Sequence, residues 1–307
     1  MLMTGYSRQR HQGGLDLNKK IRTTRQNKII NGAFIEICKF LSAANIQLSE
    51  LDIDKRHDSS VNEMEVKEII FAFAETSPYF KKYCLKLLDT NKENNRDWFD
   101  FAIISAPWAK HRYFAPINIK VSDVEKGAAD NLSCKMGIFY ALTGCDPSDI
   151  EINGRKFNNN DSWETFSKMI DEYIGTNKKE DYYFLVVNKK DIKDIFYTSL
   201  KTLKSITANG NNLPFQCRWK DNRTRVERSY NEAKDFILST LEESFRKRNS
   251  AKESFDKYVK KHFNSKNNLP KEDGLIIKTY ERKWDAIWGL MFQRLGKSSP
   301  LQISFHQ

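Results

Sequence analysis

Three side chains on two neighbouring strand-like runs are of the types that hydrolytic chemistry needs. In "PINIK", residues 116–120, an amide and an ammonium stand two positions apart. Period-two geometry puts Asn118 and Lys120 on one strand face and Ile117, Ile119 and Val121 on the other. In the preceding run, "DWFDFAIISAP", Trp98, Asp100 and Ala102 alternate with Phe99, Phe101 and Ile103. If the connection "WAKHRYF" folds the second run back on the first, an acid, an amide and an amine meet at one end of a sheet. A lysine in an otherwise apolar strand either reaches solvent or has a task, because burying an ammonium without a partner is costly. Acid and amide oxygens suit a hard divalent cation, and an ammonium beside them suits a phosphate and the water that attacks it. Asp97 is a rival acid, offset to the other face if the strand is regular.

The chain around these residues bounds what they can act on. It carries 51 Lys+Arg against 40 Asp+Glu, a formal net charge of +11. Such an excess suits a polyanion, since neutralising phosphates releases counterions. No apolar run reaches the roughly 20 residues of a membrane span, and the N-terminus lacks the apolar stretch of a secretory signal. Five scattered cysteines (38, 84, 134, 145 and 217), without a CxxC pair or a Cys/His ligand spacing, are the usage of reduced thiols. The expectation is a cytoplasmic protein without structural zinc, membrane span or nucleotide cofactor.

The positioning elements read as mixed α/β. Residues 1–27 form a polar, basic arm. "NKIINGAFIEICKFLS" has Ile29, Ile30, Ala33, Phe34, Ile37 and Leu41 at helical spacing. "VNEMEVKEIIFAFAETSPYFKKYCLKLL" predicts one or two helices interrupted at Ser77-Pro78. After the two strands, Asp130 or Asn131 is placed to cap a helix that Gly144 ends. Another helix starts at Asp161-Ser162, "YYFLVVNK" is a buried strand, a helix covers about 191–204, and a long helix covers about 229–262. Either a nuclease-like core over 28–204 and a basic, helix-rich region over 205–307 divide at the loop "TANGNNLP", or the two form one domain. The architecture expected is a small central mixed sheet flanked by helices.

Asp100, seventeen intervening residues and "PINIK" resemble the site of the PD-(D/E)xK nuclease superfamily, most closely type II restriction endonucleases of the variant with Asn-x-Lys as its second half. "GAFIE", Gly32 to Glu36, resembles the Gly-x-x-x-Glu context from which these enzymes draw an extra helical carboxylate. The resemblance covers about residues 28–144. It implies a restriction-endonuclease-like core and Mg2+-dependent, site-specific hydrolysis of double-stranded DNA. Asp100, Asn118 and Glu36 would hold the metal, and Lys120 would orient the attacking water. It also implies a possible homodimer, since cutting both strands of a palindrome favours two-fold symmetry. A repair-type nickase with the same core and a non-catalytic DNA-binding protein are the alternatives.

Two basic segments supply candidate DNA contacts. "FQCRWKDNRTRVERS" carries Arg218, Lys220, Asn222, Arg223, Arg225 and Arg228, of the types that read guanine, read adenine or grip phosphate. Lys110, His111 and Arg112 are expected beside the catalytic strands. The N-terminus of the helix near Asn131 is expected to offer N–H groups to a phosphate.

Overall fold

The computed structural model describes residues 12–44, 46, 48, 58–89, 98–109, 112–125, 129–132, 134–210 and 213–263, except the side chains of 12–26, 58–60 and 250–263. Asp97, Lys110, His111 and the segment "YERKWDAIWGLMFQRL" lie outside the described residues. In chain order the elements are helices α1 (Gln12–Ala43), α2 (Asp58–Thr76) and α3 (Pro78–Tyr83), then strands β1 (Leu85–Asp89), β2 (Phe101–Ser105), β3 (Phe114–Ser122) and β4 (Asp130–Leu132). Helix α4 (Lys135–Thr143), the two-residue strands β5 (Glu151–Ile152) and β6 (Arg155–Lys156), and helix α5 (Trp163–Tyr173) follow. Strands β7 (Tyr183–Asn188), β8 (Asp191–Ser199), β9 (Thr207–Ala208) and β10 (Phe215–Cys217) precede helix α6 (Tyr230–Phe263).

Local chemistry accounts for several boundaries. Ser77 accepts from the Phe80 N–H and Pro78 takes the first helical position, so α3 starts immediately after α2 ends. Gly144, at φ +68, ends α4, where a Cβ would lie 2.3 Å from the Asn177 carbonyl oxygen. Ser162 accepts from the Thr165 N–H and caps α5.

The central sheet has the order β1-β2-β3-β7-β8. All its pairs are antiparallel except β3–β7, which is reached by a crossover through β4, α4 and α5. One face packs Ile103, Ile117, Ile119 and Val121 against the α1 residues Ile29, Ile30, Ala33, Phe34, Ile37 and Leu41 and the α2 residues Val66 and Ile70. The other packs Ala102, Phe184 and Val186 against α4, α5 and a second sheet of order β4-β10-β9. Burial on both faces explains why β7 reads as an unbroken apolar run. Among the described residues no helix is long and apolar enough to cross a membrane.

Three expectations are corrected. Residues 191–199 form strand β8, paired with β7. Ile195 and Tyr197 enter one core while Phe196 enters the other, a period of two. "LKLL", expected in a helix, lies in β1 and pairs with β2, after the left-handed Cys84 (φ 52) has ended α3. Asp130 and Asn131 lie in β4 and pair with β10, and α4 begins only at Lys135, so they do not cap it. Met1–Ala251 forms one compact unit and Lys252–Gln307 a second. Position 205 falls inside the first unit, where Phe215, Cys217, Trp219, Ile237 and Leu241 belong to the same core as α4 and β7, in keeping with the one-domain alternative.

Candidate active site

Strand β2 stops pairing at Phe101, opposite Ile117, while β3 continues to Ser122 alongside β7. Residues 118–122 of β3 therefore have a strand on one side only among the described residues. Asp100 and Glu63 meet several of the backbone groups that β2 leaves. The Asp100 N–H donates to Ile117 O at 2.8 Å, and Asp100 Oδ2 accepts the Ile119 N–H at 2.6 Å. The next N–H on that open edge, that of Val121, faces the carboxylate of Glu63 from the first turns of α2 and opposes the rise in its pKa.

Asp100 is held a second time. Asn118 Nδ2 donates to the same Oδ2 at 3.0 Å, which leaves the Asn118 carbonyl oxygen turned away from Asp100. Ile117, Ile119 and Val121 are buried, while Asn118 and Lys120 are half-buried on the opposite face. Among the described residues the Lys120 ammonium has no hydrogen-bond or ion-pair partner.

The electrostatics gather these groups into one neighbourhood. Burial pushes the Glu63 carboxyl up to about 7, against the pull of Lys120 and with an added push from Asp100. Burial also raises Asp100, and the Ile119 N–H, Lys120 and Lys67 oppose that rise. Lys67, one helical turn beyond Glu63, is itself buried and pairs with Asp89 at 3.1 Å.

Glu63 was not singled out from the sequence, and the structure gives it the place expected of Glu36. Glu36 sits on α1 paired with Lys39 at 3.2 Å, and nothing brings it to Asp100 or Lys120. A sequence signal for Glu63 exists. It precedes the buried residues Val66, Lys67 and Ile70 by three, four and seven positions, so it shares their covered stripe.

The donors available to a cation are the carboxylates of Asp100 and Glu63 and the amide oxygen of Asn118. No group of three or more His, Cys, Asp or Glu side chains able to enclose a metal occurs among the described residues. An all-oxygen set with two carboxylates fits Mg2+, which keeps several waters and binds through one or two carboxylates plus substrate phosphate.

The expected DNA contacts separate into several groups. The β2–β3 connection, with Arg112, lies at the far end of the hairpin from this cluster. Lys120 is six residues along β3 from Phe114, about 20 Å at strand rise. Asn222 is fully buried, and its amide ties the backbones of Ser205 and Arg218. Arg223 pairs with Asp194 at 2.6 Å and Glu125 at 2.9 Å, and Lys220 pairs with Glu125 at 3.3 Å. Arg228 donates to the carbonyls of Leu203 (2.7 Å) and Lys201 (3.2 Å) and lies over Phe236. Arg225 lies 4.5 Å from the Tyr197 ring centroid. Arg218 is exposed and makes no side-chain hydrogen bond or ion pair among the described residues. No protein-family model matches this chain, and no curated protein is significantly similar to it.

Proposed function

We propose that the protein is a Mg2+-dependent, sequence-specific endonuclease of double-stranded DNA, with a restriction-endonuclease-like core of the PD-(D/E)xK kind. The observation that carries this reading is the open edge of β3. There Asp100 and Glu63 face successive N–H groups of that edge, and Lys120 projects beside them without a hydrogen-bond or ion-pair partner among the described residues.

Asp100, Glu63 and the Asn118 oxygen would hold the cation, which when bound supplies positive charge to the phosphodiester and lowers the pKa of the attacking water. The chain's own groups do the remainder. Asn118 and the Ile119 N–H fix the Asp100 carboxylate, so its orientation does not have to be found at each turnover. Lys120 donates to the attacking water or to the developing charge on the phosphate. Before a cation binds, burial holds the Glu63 carboxyl up to about 7, so loading the cation there would also displace a proton. The net charge of +11 supports a polyanionic substrate, and a homodimer would let two such sites cut a palindrome.

The test is incubation of the full chain with a sequenced plasmid or phage genome and Mg2+, followed by mapping of the ends. Discrete double-strand ends are the expected result. Nicks without double-strand ends would move the reading to a nickase. DNA binding without any cutting by a folded protein would end the enzyme reading.

A further inference from the structure

The small sheet β4-β10-β9 has an inner face of Leu132, Phe215, Cys217 and Ala208, all buried. Its register places Asn131 and Thr207 on either side of Gln216, so one amide–amide–hydroxyl row crosses the outer face. The row is hydrogen-bonded within itself. Asn131 Oδ1 accepts from Gln216 Nε2 at 3.1 Å and from Asn209 Nδ2 at 3.2 Å, and Thr207 Oγ1 donates to Gln216 O at 3.2 Å. Of these, the bond from Nε2 to Asn131 Oδ1 holds the Gln216 side-chain amide, leaving its Oε1 and its second N–H free of them. One acceptor and one donor in a plane is the complement of adenine N6 and N7.

Two residues further, on the same face of the extended chain, stands Arg218, exposed and without a side-chain partner among the described residues. Its fork is the complement of guanine O6 and N7. Residues i and i+2 of a strand are about 6.8 Å apart, which is about the rise of two base pairs. Cys217 lies between them with Asp130 opposite, and both share the electrostatic neighbourhood of Lys120. The inner face of this sheet, opposite the row, is therefore the one turned toward the candidate catalytic group. Lys247, which donates to Ala208 O and pairs with Glu243, both at 3.0 Å, ties α6 to the rim of this sheet.

We infer that strand β10 reads bases in the major groove, Gln216 reading adenine and Arg218 reading guanine two base pairs along. This rests on the endonuclease reading and specifies its recognition element. Base reading moves from the loop cations Arg223 and Arg228, which the protein's own acids and carbonyls occupy, to the outer face of the small sheet.

The experiment selects duplexes from a randomised library with the full-length Lys120→Ala protein, which keeps the DNA intact. The selected motif should hold an adenine and a guanine separated by one base pair. Adding Gln216→Ala should erase only the adenine preference, and Arg218→Ala only the guanine. Each should weaken binding to the selected duplex roughly 5- to 150-fold. Gln216→Glu, equal in shape, should also lose adenine and covers the case in which the alanine variant folds poorly. Selection of an unchanged motif by these variants, or no motif by the parent, would overturn the inference. Cleavage by the unsubstituted protein is scored separately. A selected motif without Mg2+-dependent cutting defeats the endonuclease reading and leaves β10 as the reader. Discrete cutting whose sites Gln216→Ala and Arg218→Ala leave unchanged does the reverse.

Discussion

The parallel pair β3–β7 has buried charge at both ends, and the two ends differ in what happens to the lysine. At the entry to β7, burial raises Glu180 and Asp181 above the ordinary carboxylate range. Tyr140 Oη and Asn177 Nδ2 reach the two Glu180 oxygens at 3.1 and 3.3 Å, and Asp181 Oδ1 accepts the N–H groups of Tyr182 (2.8 Å) and Lys201 (3.3 Å). Lys201 Nζ donates to the carbonyls of Lys178 and Glu180 and lies over the Tyr230 ring. At the exit of β3 burial also raises the carboxylates of Asp100 and Glu63, but the ammonium of Lys120 has no such attachments among the described residues. A cation tied to carbonyls stabilises the fold. One left with its donors available can act on something that arrives. Burial of charge therefore does not by itself mark a site, and the state of the counter-cation does.

The comparison breaks first at Lys120. Lys120→Ala should lower the cleavage rate by about 10²–10⁴-fold at every Mg2+ concentration, with little change in the melting curve followed by circular dichroism. A folded variant cutting at the parent rate would remove the chemistry from this end of the sheet. Lys201→Ala should behave oppositely. It leaves Asp181 buried without its cation, so unfolding in urea should become easier by about 3–5 kcal/mol, while any remaining folded protein cuts normally. Equal stability losses for the two lysine variants would show that the ends are not different in kind.

A smaller effect sharpens the picture at Glu63. Its folded pKa of about 7 exceeds the ordinary unfolded value, so between those two values the folded state binds more proton than the unfolded one. Stability from this group is therefore lost as pH rises from about 5 toward 8. Glu63→Gln should raise stability at pH 8 on the order of 1–3 kcal/mol without metal, have almost no effect at pH 5, and reduce cleavage. Melting curves across pH settle the sign, and a destabilised variant at pH 8 would contradict it.

The smallest effect is expected at Asn118. Replacing its N–H donor with a second carboxylate against Asp100 should cost about 1–2 kcal/mol in the presence of a chelator. Mg2+ should restore that loss for Asn118→Asp and shift the unsubstituted protein less. A melting point indifferent to Mg2+ would take Asn118 out of the cation's surroundings.

The cluster of Asp100, Asn118 and Lys120 could be read from the sequence because strand period is a short-range property, and the flanking apolar residues leave one choice of face. Glu63 could not be read as easily. A carboxylate four residues before a lysine on a helix looks like a solvated pair, yet Lys67 turns instead to Asp89, and only packing of α2 on β3 delivers Glu63 to Val121. Strand β8 was hidden by lysines and aspartates and by the three-residue spacing of Ile192 and Ile195, which imitates a helix until β7 pairs with it. The loop cations illustrate the limit of composition. Counting Arg223 shows a charge, but not that Asp194, 29 residues away, and Glu125, 98 away, meet it in space.

The early stop of β2 also bears on how variants should be made. From Asn118 onward, β3 would be a naked sheet margin were it not for the carboxylates of Asp100 and Glu63 standing in for the missing neighbour's carbonyls. Unblocked margins of apolar strands recruit strands from other molecules. Truncating both acids to alanine would thus expose the Ile119 and Val121 N–H groups and invite self-association. Light scattering should reveal this well before any loss of secondary structure. Inactive protein for crystallisation or binding work is better made at Lys120, whose removal leaves that margin blocked.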